Sequence, residues 1–219
     1  MIAPRRLGTV AAVELWTWTL DLDPQELAAR WSRLSVEERE RAGRLAAGDV
    51  RRRFVAGRAG LRALLCDWTG ASPGELALRS GPHGKPMLES GPHFNLSHSG
   101  DLAVCALAPD REVGVDVEGL RPVPEAGPIA ERWLGPDAPG MLAAAGTNRE
   151  VVFLRLWTRR EAFLKASGVG IAAAEDRQPQ PDPGRWETWD IDPAPGYVGA
   201  LVAARAPSAE RGRRQEIST

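Results

Sequence analysis

The chain alternates between stretches whose hydrophobic residues recur every three to four positions and stretches rich in β-branched and aromatic residues. The first pattern is typical of amphipathic helices and the second of strands. Helices are predicted over residues 23–34, 35–47, 49–68 and 148–167, with two shorter ones within 122–145. Strands are predicted over 10–20, 76–79, 102–108, 113–118, 186–191 and 197–204, with a brief one near Met87. This mixed order is compatible with an α+β fold.

Polar residues at three places predict where helices begin. Ser35 and Glu38 have the spacing of a capping box, in which each side chain bonds to the other residue's backbone N–H. Thr147 and Glu150 have the same spacing before the last long helix. Asp49 is predicted to be the N-cap of the first long helix, because a carboxylate can accept hydrogen bonds from the free N–H groups of a first turn.

Strict alternation over the strand 113–118 separates two valines from two carboxylates. Residues two apart on a strand face the same way, so Asp116 and Glu118 share one side while Val115 and Val117 share the other. Neighbouring carboxylates repel each other unless a cation or bulk water lies between them, and Mg²⁺ prefers such oxygen ligands. Two interpretations stay open at this point: a magnesium-binding pair, or an edge strand with a solvated polar face.

The last long helix combines charged residues with an apolar stripe. Glu161 and Lys165 are four apart and share a face, which a surface ion pair would also explain. Arg160 is different, because it falls near the middle of the stripe and a guanidinium there needs a carboxylate or a phosphate as partner. The stripe comprises Val152, Phe153, Leu156, Trp157, Phe163 and Leu164.

Composition narrows the class of protein. The 219 residues are 43% hydrophobic, enough for one large domain or two small ones, and the net charge of -1 favours neither nucleic acid nor a membrane surface as partner. No transmembrane segment or signal peptide is predicted. Cys66 and Cys105 lie in apolar runs and are predicted to be buried free thiols of a cytoplasmic protein. Of 28 basic residues only Lys85 and Lys165 are lysines, so a compact ammonium is the expected requirement at both positions, although coincidence is the alternative.

Four motifs in order resemble the Sfp-type 4′-phosphopantetheinyl transferases, and the chain length agrees with that family. The one visible departure is Arg160, which stands where the family usually has lysine; it keeps the charge and changes the geometry. The motifs are Gly84-Lys85-Pro86, Phe94-Asn95-Leu96-Ser97-His98-Ser99, Gly114-Val115-Asp116-Val117-Glu118, and Trp157-Thr158-x-Arg160-Glu161-Ala162-x-x-Lys165.

The resemblance implies a fold of two structurally similar α+β half-domains packed as a pseudo-dimer. We place these halves at residues 1–110 and 111–205, followed by a tail over 206–219 that is expected to be disordered. The implied activity is transfer of the 4′-phosphopantetheine arm of coenzyme A to a serine of a carrier protein. Asp116, Glu118 and Glu161 would bind Mg²⁺, with Mn²⁺ as a possible replacement.

The same resemblance implies roles for the polar residues. Asp116, Glu161 and Lys165 would be catalytic, with Glu161 the best candidate for the base that takes the serine proton. Arginines of the first long helix would meet the 3′-phosphate of coenzyme A, although snorkelling over the core is the alternative there. Ser97 and His98 have the alternatives of an ordinary loop serine and a capping histidine. The expected coenzyme A ligands are Arg51, Arg58, Lys85, Ser97, His98, Arg160 and Lys165.

The implied partner is an acyl or peptidyl carrier protein of polyketide or nonribosomal peptide synthesis, bound by a monomeric enzyme. Its docking surface is expected in the second half, around Arg132 and Trp133, although Trp133 and Leu134 could instead close the core. The segment also holds Ile129, Met141 and Leu142. Two other functions stay open, a binding module for coenzyme A or carrier protein and another Mg²⁺-dependent phosphotransferase or hydrolase. A nucleotide triphosphatase is disfavoured because the Gly-rich phosphate loop is missing from the sequence.

Overall fold

A computed structural model describes residues 3–73, 75–81, 85–169 and 181–206 of the chain. The helices are α1 (Pro24–Trp31), α2 (Val36–Arg44), α3 (Asp49–Thr69), α4 (Ala126–Trp133), α5 (Ala138–Ala144) and α6 (Arg149–Ser167). The strands are β1 (Arg5–Val10), β2 (Val13–Thr19), β3 (Arg79–Ser80), β4 (Pro86–Met87), β5 (His93–Ser99), β6 (Leu102–Ala108), β7 (Val113–Gly119), β8 (Trp186–Ile191) and β9 (Tyr197–Ala204). The predicted α+β class is confirmed.

Two antiparallel sheets form the centre of the molecule. The first has the order β1-β2-β6-β5, the second has the order β7-β9-β8, and β3 and β4 form a separate short pair. All strands of the first sheet precede Pro109 and all strands of the second follow it. The division into halves at residue 110 stays a prediction, and this strand membership is consistent with it.

The hydrophobic clusters show how the layers stack. Residues of α3 pack on one face of the first sheet, through Leu61 and Leu65 against Phe94. The other face of that sheet packs against the second sheet. On the far side of the second sheet, Phe163 of α6 packs against Trp186 of β8. The order of layers is therefore helix, sheet, sheet, helix.

Helix α2 begins as its sequence predicts. The backbone N–H of Glu38 donates to Ser35 Oγ at 3.3 Å, and the N–H of Ser35 donates to Glu38 Oε2 at 3.0 Å. Both bonds of the capping box are present, so two N–H groups of the first turn are satisfied by side chains.

The two long helices begin within one residue of the predicted positions, but their predicted N-caps are wrong. The N-cap of α3 is Gly48, which has a φ of 89°, so Asp49 is already the first helical residue and does not cap it. A turn of 3₁₀ helix precedes α6, whose N-cap is Asn148 without any capping hydrogen bond from its side chain. Thr147 is part of that 3₁₀ turn and the expected capping box does not form, because the chain is already wound before α6 begins.

The predicted strand over 10–20 corresponds to β2 over Val13–Thr19, but its first residues form the turn of a hairpin with β1, which was not predicted. Strands β1 and β2 pair through a two-residue turn at Ala11 and Ala12, whose φ angles are 47° and 64°. Such turns usually contain Asn or Gly, so two alanines carry no turn signal in the sequence. The strand predicted over 76–79 is reduced to the two residues of β3, and Gly70 ends α3 in a left-handed conformation.

Some predictions fall on residues that the structure does not describe. Gly84, most of the loop predicted over 171–184, and nearly all of the predicted tail lie outside the described residues. Within the described ranges, no helix combines the length and the apolar composition needed to cross a bilayer.

Candidate active site

Strand β7, strand β5 and helix α6 meet at one place, and Gly114 makes that meeting possible. A Cβ atom at Gly114 would overlap the carbonyl oxygen of Ala162 and lie only 2.5 Å from the backbone nitrogen of Ala166. The helix therefore lies directly against the strand. This approach brings Glu161 and Lys165 of α6 to the carboxylate side of β7.

Lys165 bonds to Asp116 and not to the glutamate on its own helix. Its Nζ is 2.5 Å from Asp116 Oδ1 and donates to Ser97 Oγ at 3.0 Å, while Ser97 Oγ donates to the same Asp116 oxygen at 2.8 Å. Asp116 Oδ2 is buried without a hydrogen-bond partner among the described residues. Burial raises the pKa of Asp116 despite the neighbouring ammonium of Lys165.

Glu161 is the second buried acid of this site, with a relative exposure of 5%. Burial, followed by the charge of Asp116, raises the pKa of Glu161 to about 7. A carboxyl group in such surroundings is favoured in its charged form when a cation is near.

Glu118 is the third acid and lies nearer the solvent. Its Oε2 accepts hydrogen bonds from Ser99 Oγ at 2.9 Å and from Arg121 at 2.8 Å. Glu118 and Asp116 both contribute to the raised pKa of Glu161, so the three carboxylates influence each other electrostatically. In the part of the chain that the structure describes, no three acidic, histidine or cysteine side chains are already arranged around a common metal position.

His98 lies on β5 beside positive charge. Partial burial, followed by the charges of Lys165 and Arg53, lowers the pKa of its imidazole. Arg53 belongs to α3, and its Nε donates to Asp101 at 3.0 Å. Sequence reasoning missed Arg53, because it is one of three consecutive arginines whose directions differ by about 100° each on a helix.

The predicted arginine ligands of α3 have partners within the first half. Arg51 donates to the carbonyl of Leu45 at 2.9 Å, next to the end of α2. Arg58 Nε lies 3.8 Å from Glu38 Oε1, and its guanidinium stacks over the ring of Phe54 at 5.8 Å. Burial lowers the pKa of Arg58. Their role in binding coenzyme A stays a prediction.

Lys85 bridges the loop before β4 and the end of α6. Its Nζ donates to the carbonyl of Lys165 at 2.7 Å, and burial lowers its pKa. Lys85 also lines a cavity of about 420 Å³ whose walls come from residues on both sides of the predicted boundary at residue 110. His93, Phe94 and Glu112 line the same cavity.

Arg160 lies on another face of α6, away from the ion pair of Lys165. Its guanidinium is 6.0 Å from the ring of Trp133, and that of Arg132 is 4.8 Å from the same ring. Trp133, Arg160 and Phe163 line a second cavity, of about 390 Å³. Burial lowers the pKa of Arg160, and the charge of Glu161 opposes this.

The predicted docking segment divides into core and surface residues. Leu142 is buried, and Ile129 and Leu134 pack against the same cluster between α4, α5 and α6. Trp133 borders the second cavity instead, and Met141 is 45% exposed. The interpretation that this segment closes the core therefore fits Leu134 better than Trp133.

Comparison with known proteins matches both halves to one family. Residues 17–110 match the model of the 4′-phosphopantetheinyl transferase N-terminal region, and residues 112–192 match that of the 4′-phosphopantetheinyl transferase superfamily. The chain is 39% identical over 170 residues to the 4′-phosphopantetheinyl transferase HetI of a Nostoc species, which covers 75% of the chain and 72% of that protein. The chain belongs to the 4′-phosphopantetheinyl transferase family.

Further phosphopantetheinyl transferases match over most of their length. The enzyme psf-1 of Bacillus pumilus is 32% identical over 195 residues, covering 81% of the chain and 82% of that protein. The enzyme Sfp of Bacillus subtilis is 27% identical over 201 residues, covering 84% of the chain and 88% of that protein. The predicted family, the α+β class and the assignment as a phosphopantetheinyl transferase are thus confirmed. The alternatives of a binding module and of a different phosphotransferase are not supported.

Proposed function

We propose that this phosphopantetheinyl transferase moves the 4′-phosphopantetheine arm of coenzyme A to a serine of an acyl or peptidyl carrier protein, with Mg²⁺ bound by Asp116, Glu118 and Glu161. The observation that carries the proposal is the buried network of Lys165, Asp116 and Ser97 beside Glu161. The serine oxygen attacks the β-phosphorus, the bond between that phosphorus and the bridging oxygen breaks, and 3′,5′-ADP leaves.

Two features of the carboxylates fit a divalent cation. Asp116 Oδ2 is buried without a partner among the described residues, and burial raises the pKa of Glu161 to about 7. A nearby cation would offset the cost of charging both groups. When bound, Mg²⁺ would neutralise charge on the pyrophosphate, and Mn²⁺ could replace it.

Basic residues would bind the rest of coenzyme A. Lys165 is proposed to contact the pyrophosphate, and Arg160 to contact coenzyme A from another face of α6, beside the second cavity. Lys85 is proposed to contact the nucleotide end, which would lie against the apolar part of the cavity that Lys85 lines together with Glu89 and Glu112. His98 and Ser97 would lie near the phosphates, and the 3′-phosphate would meet arginines of α3.

Arg53 is a stronger candidate for that last role than Arg51 and Arg58. The charge of Arg53 already acts on His98, whereas Arg51 and Arg58 contact α2 and its capping residue. Arg51 and Arg58 stay in the proposal as residues of the same helix, since a phosphate could still draw on their positive charge.

Glu161 is proposed to accept the serine proton. The pKa of Glu161 is about 7 in the metal-free protein and would fall when a cation binds, which keeps the carboxylate ionised and able to accept a proton at neutral pH. The negative charge that develops on the phosphoryl oxygens is stabilised by Lys165. Catalysis of this kind depends mainly on positioning and charge neutralisation.

The carrier protein is proposed to bind beside Arg132, Trp133 and the second cavity. Acidic helices of a carrier suit a surface that combines guanidinium groups with a partly exposed aromatic ring. Both cysteines, Cys66 and Cys105, are free, which supports the expectation of a cytoplasmic location. A monomeric state is part of the same proposal.

The decisive experiment is incubation with coenzyme A, Mg²⁺ and an apo carrier protein, read by intact mass. The carrier should gain the mass of one phosphopantetheine arm. No gain in mass is expected when EDTA is present or when the carrier lacks its acceptor serine. Glu161→Ala should abolish transfer, whereas Glu150→Ala at the start of the same helix should not. No transfer to any of a panel of acyl and peptidyl carriers would contradict the proposal, and a fully active Glu161→Ala would contradict its metal site and its base.

A further inference from the structure

Strands β5 and β7 lie side by side without a backbone ladder between them. Each pairs through its backbone with another strand, β5 with β6 and β7 with β9. Side chains of β5 bond to β7 instead, from residues spaced two apart on one side of the strand. The backbone N–H of Val115 donates to Asn95 Oδ1 at 2.8 Å, and the N–H of Gly119 donates to Ser99 Oγ at 3.1 Å.

Ser97 and Ser99 of β5 each donate a hydrogen bond to one carboxylate of β7. Ser97 donates to one oxygen of Asp116, and that oxygen also meets the ammonium of Lys165. Ser99 donates to one oxygen of Glu118, and Arg121 donates to that same oxygen. Two serines spaced two apart on β5 therefore fix the positions of two carboxylates spaced two apart on β7.

In both acids the second oxygen is left available. Asp116 Oδ2 has no hydrogen-bond partner in the described part of the chain. Among the described residues, both hydrogen bonds of the Glu118 carboxylate fall on Oε2, which leaves Oε1 for another ligand. One oxygen held by the protein and one oxygen presented to a cation is the arrangement of a carboxylate ligand with outer-shell support.

The bonding of Ser99 also sets the direction of its proton. A hydroxyl group has one proton and two lone pairs, and one lone pair accepts the N–H of Gly119. Its proton is then free to point at Glu118 Oε2. Ser99 thereby ties the position of the Glu118 carboxylate to the backbone of β7.

We infer that Ser99 is a positioning residue that orients the Glu118 carboxylate for metal binding from the opposite half of the molecule. The inference rests on the proposed function, because it takes Glu118 as a metal ligand. The inference extends the proposed function, because the metal site then depends on residues of both predicted halves. The site is then sensitive to how the two halves are aligned, since a shift of β5 along β7 would move the serine away from the carboxylate.

The test is the binding of Mn²⁺ to the full-length protein with coenzyme A present, measured from the electron paramagnetic resonance signal of free Mn²⁺. Ser99→Ala should weaken Mn²⁺ binding about 10–100-fold, the usual effect of losing an outer-shell partner. Ser99→Thr keeps the hydroxyl group and should restore most of the affinity. The Mg²⁺ concentration for half-maximal transfer should rise in Ser99→Ala, while the rate at saturating Mg²⁺ recovers. Ser32→Ala, which removes an exposed serine at the end of α1, is the matched control.

The outcomes separate this inference from the proposed function. A wild-type protein that binds Mn²⁺, with Ser99→Ala within twofold of it, would overturn the role of Ser99 and leave the proposed function intact. A wild-type protein that transfers the arm without binding Mn²⁺ would overturn the metal site and this inference together. If Ser99→Ala does not fold, Ser99→Cys can replace it, because a thiol has a similar size and is a weak hydrogen-bond donor. Ser99→Cys should show the same loss of Mn²⁺ affinity. Unchanged affinity in this variant would also overturn the inference.

Discussion

Adding one methyl group at Gly114 tests whether the contact between β7 and α6 builds the active site. The new Cβ atom would overlap the carbonyl oxygen of Ala162 and lie 2.5 Å from the nitrogen of Ala166. Both atoms belong to the backbone of α6, so no side-chain rotation can relieve the overlap. The strand and the helix must move apart.

The size of the movement follows from the geometry. An ordinary contact begins at 3.4 Å, so the distance to the Ala166 nitrogen must grow by about 0.9 Å and the distance to the Ala162 oxygen, which is closer, by more than that. Overpacking of this kind typically costs about 1–3 kcal/mol of unfolding free energy. The same shift separates Asp116 from Glu161 and Lys165, and a displacement near 1 Å can lower a rate about 100-fold. We therefore expect Gly114→Ala to be folded, destabilised and about 100-fold slower.

The assay combines thermal unfolding with the rate of phosphopantetheine transfer at saturating coenzyme A. Gly140→Ala is the matched control, since Gly140 lies on α5 of the same half and a Cβ atom there meets nothing within 4 Å. That control should keep full activity. If Gly114→Ala were as stable and as active as the wild type, the close approach of α6 would not be what aligns the acids with Lys165.

Three further predictions concern charge. In EDTA at pH 8, Glu161→Gln should raise the unfolding free energy on the order of 1–3 kcal/mol above that of the wild type. The reason is that the folded-state pKa of Glu161, about 7, exceeds the ordinary 4.5, so ionisation of this carboxyl destabilises the wild-type fold as pH rises. The gain should shrink below pH 7, and a pH-independent difference would refute this reasoning. Coenzyme A should bind more tightly as pH falls through the lowered pKa of His98, since a phosphate favours the imidazolium. Measured by calorimetry, the affinity of His98→Gln for coenzyme A should no longer depend on pH in this way. If the variant kept the dependence, the proton would belong to another group. Arg132→Glu should raise KM for the carrier, less so at high salt, with coenzyme A affinity unchanged; equal losses for both ligands would place the docking surface elsewhere.

Periodicity alone predicted the features that depend on a single element. The alternation over 113–118 placed Asp116 and Glu118 on one side of β7, where both face the β5 serines or α6. The spacing of Ser35 and Glu38 predicted a capping box that forms. Such predictions succeed because the geometry of one strand or one helix turn fixes the direction of its own side chains.

Capping and turn predictions failed where a neighbouring segment decided the conformation. A 3₁₀ turn winds the chain before α6, so Thr147 cannot act as a cap there. Two alanines at the turn between β1 and β2 adopt positive φ angles that their sequence does not favour. The pairing of β1 with β2 compensates for that cost, and pairing is a property of the sheet.

The partners within the active site were decided by tertiary structure. Helix periodicity pairs Lys165 with Glu161, four residues away, yet Lys165 bonds to Asp116 and Ser97, which are 49 and 68 residues away. Which of three consecutive arginines lies beside His98 depends likewise on how α3 packs on the first sheet. A sequence pattern specifies which way a side chain points within its element, but the group it meets depends on the layers that hydrophobic burial brings together. Gly114 is an example: because it has no Cβ atom, α6 can lie directly on β7, and this contact brings Glu161 and Lys165 to Asp116.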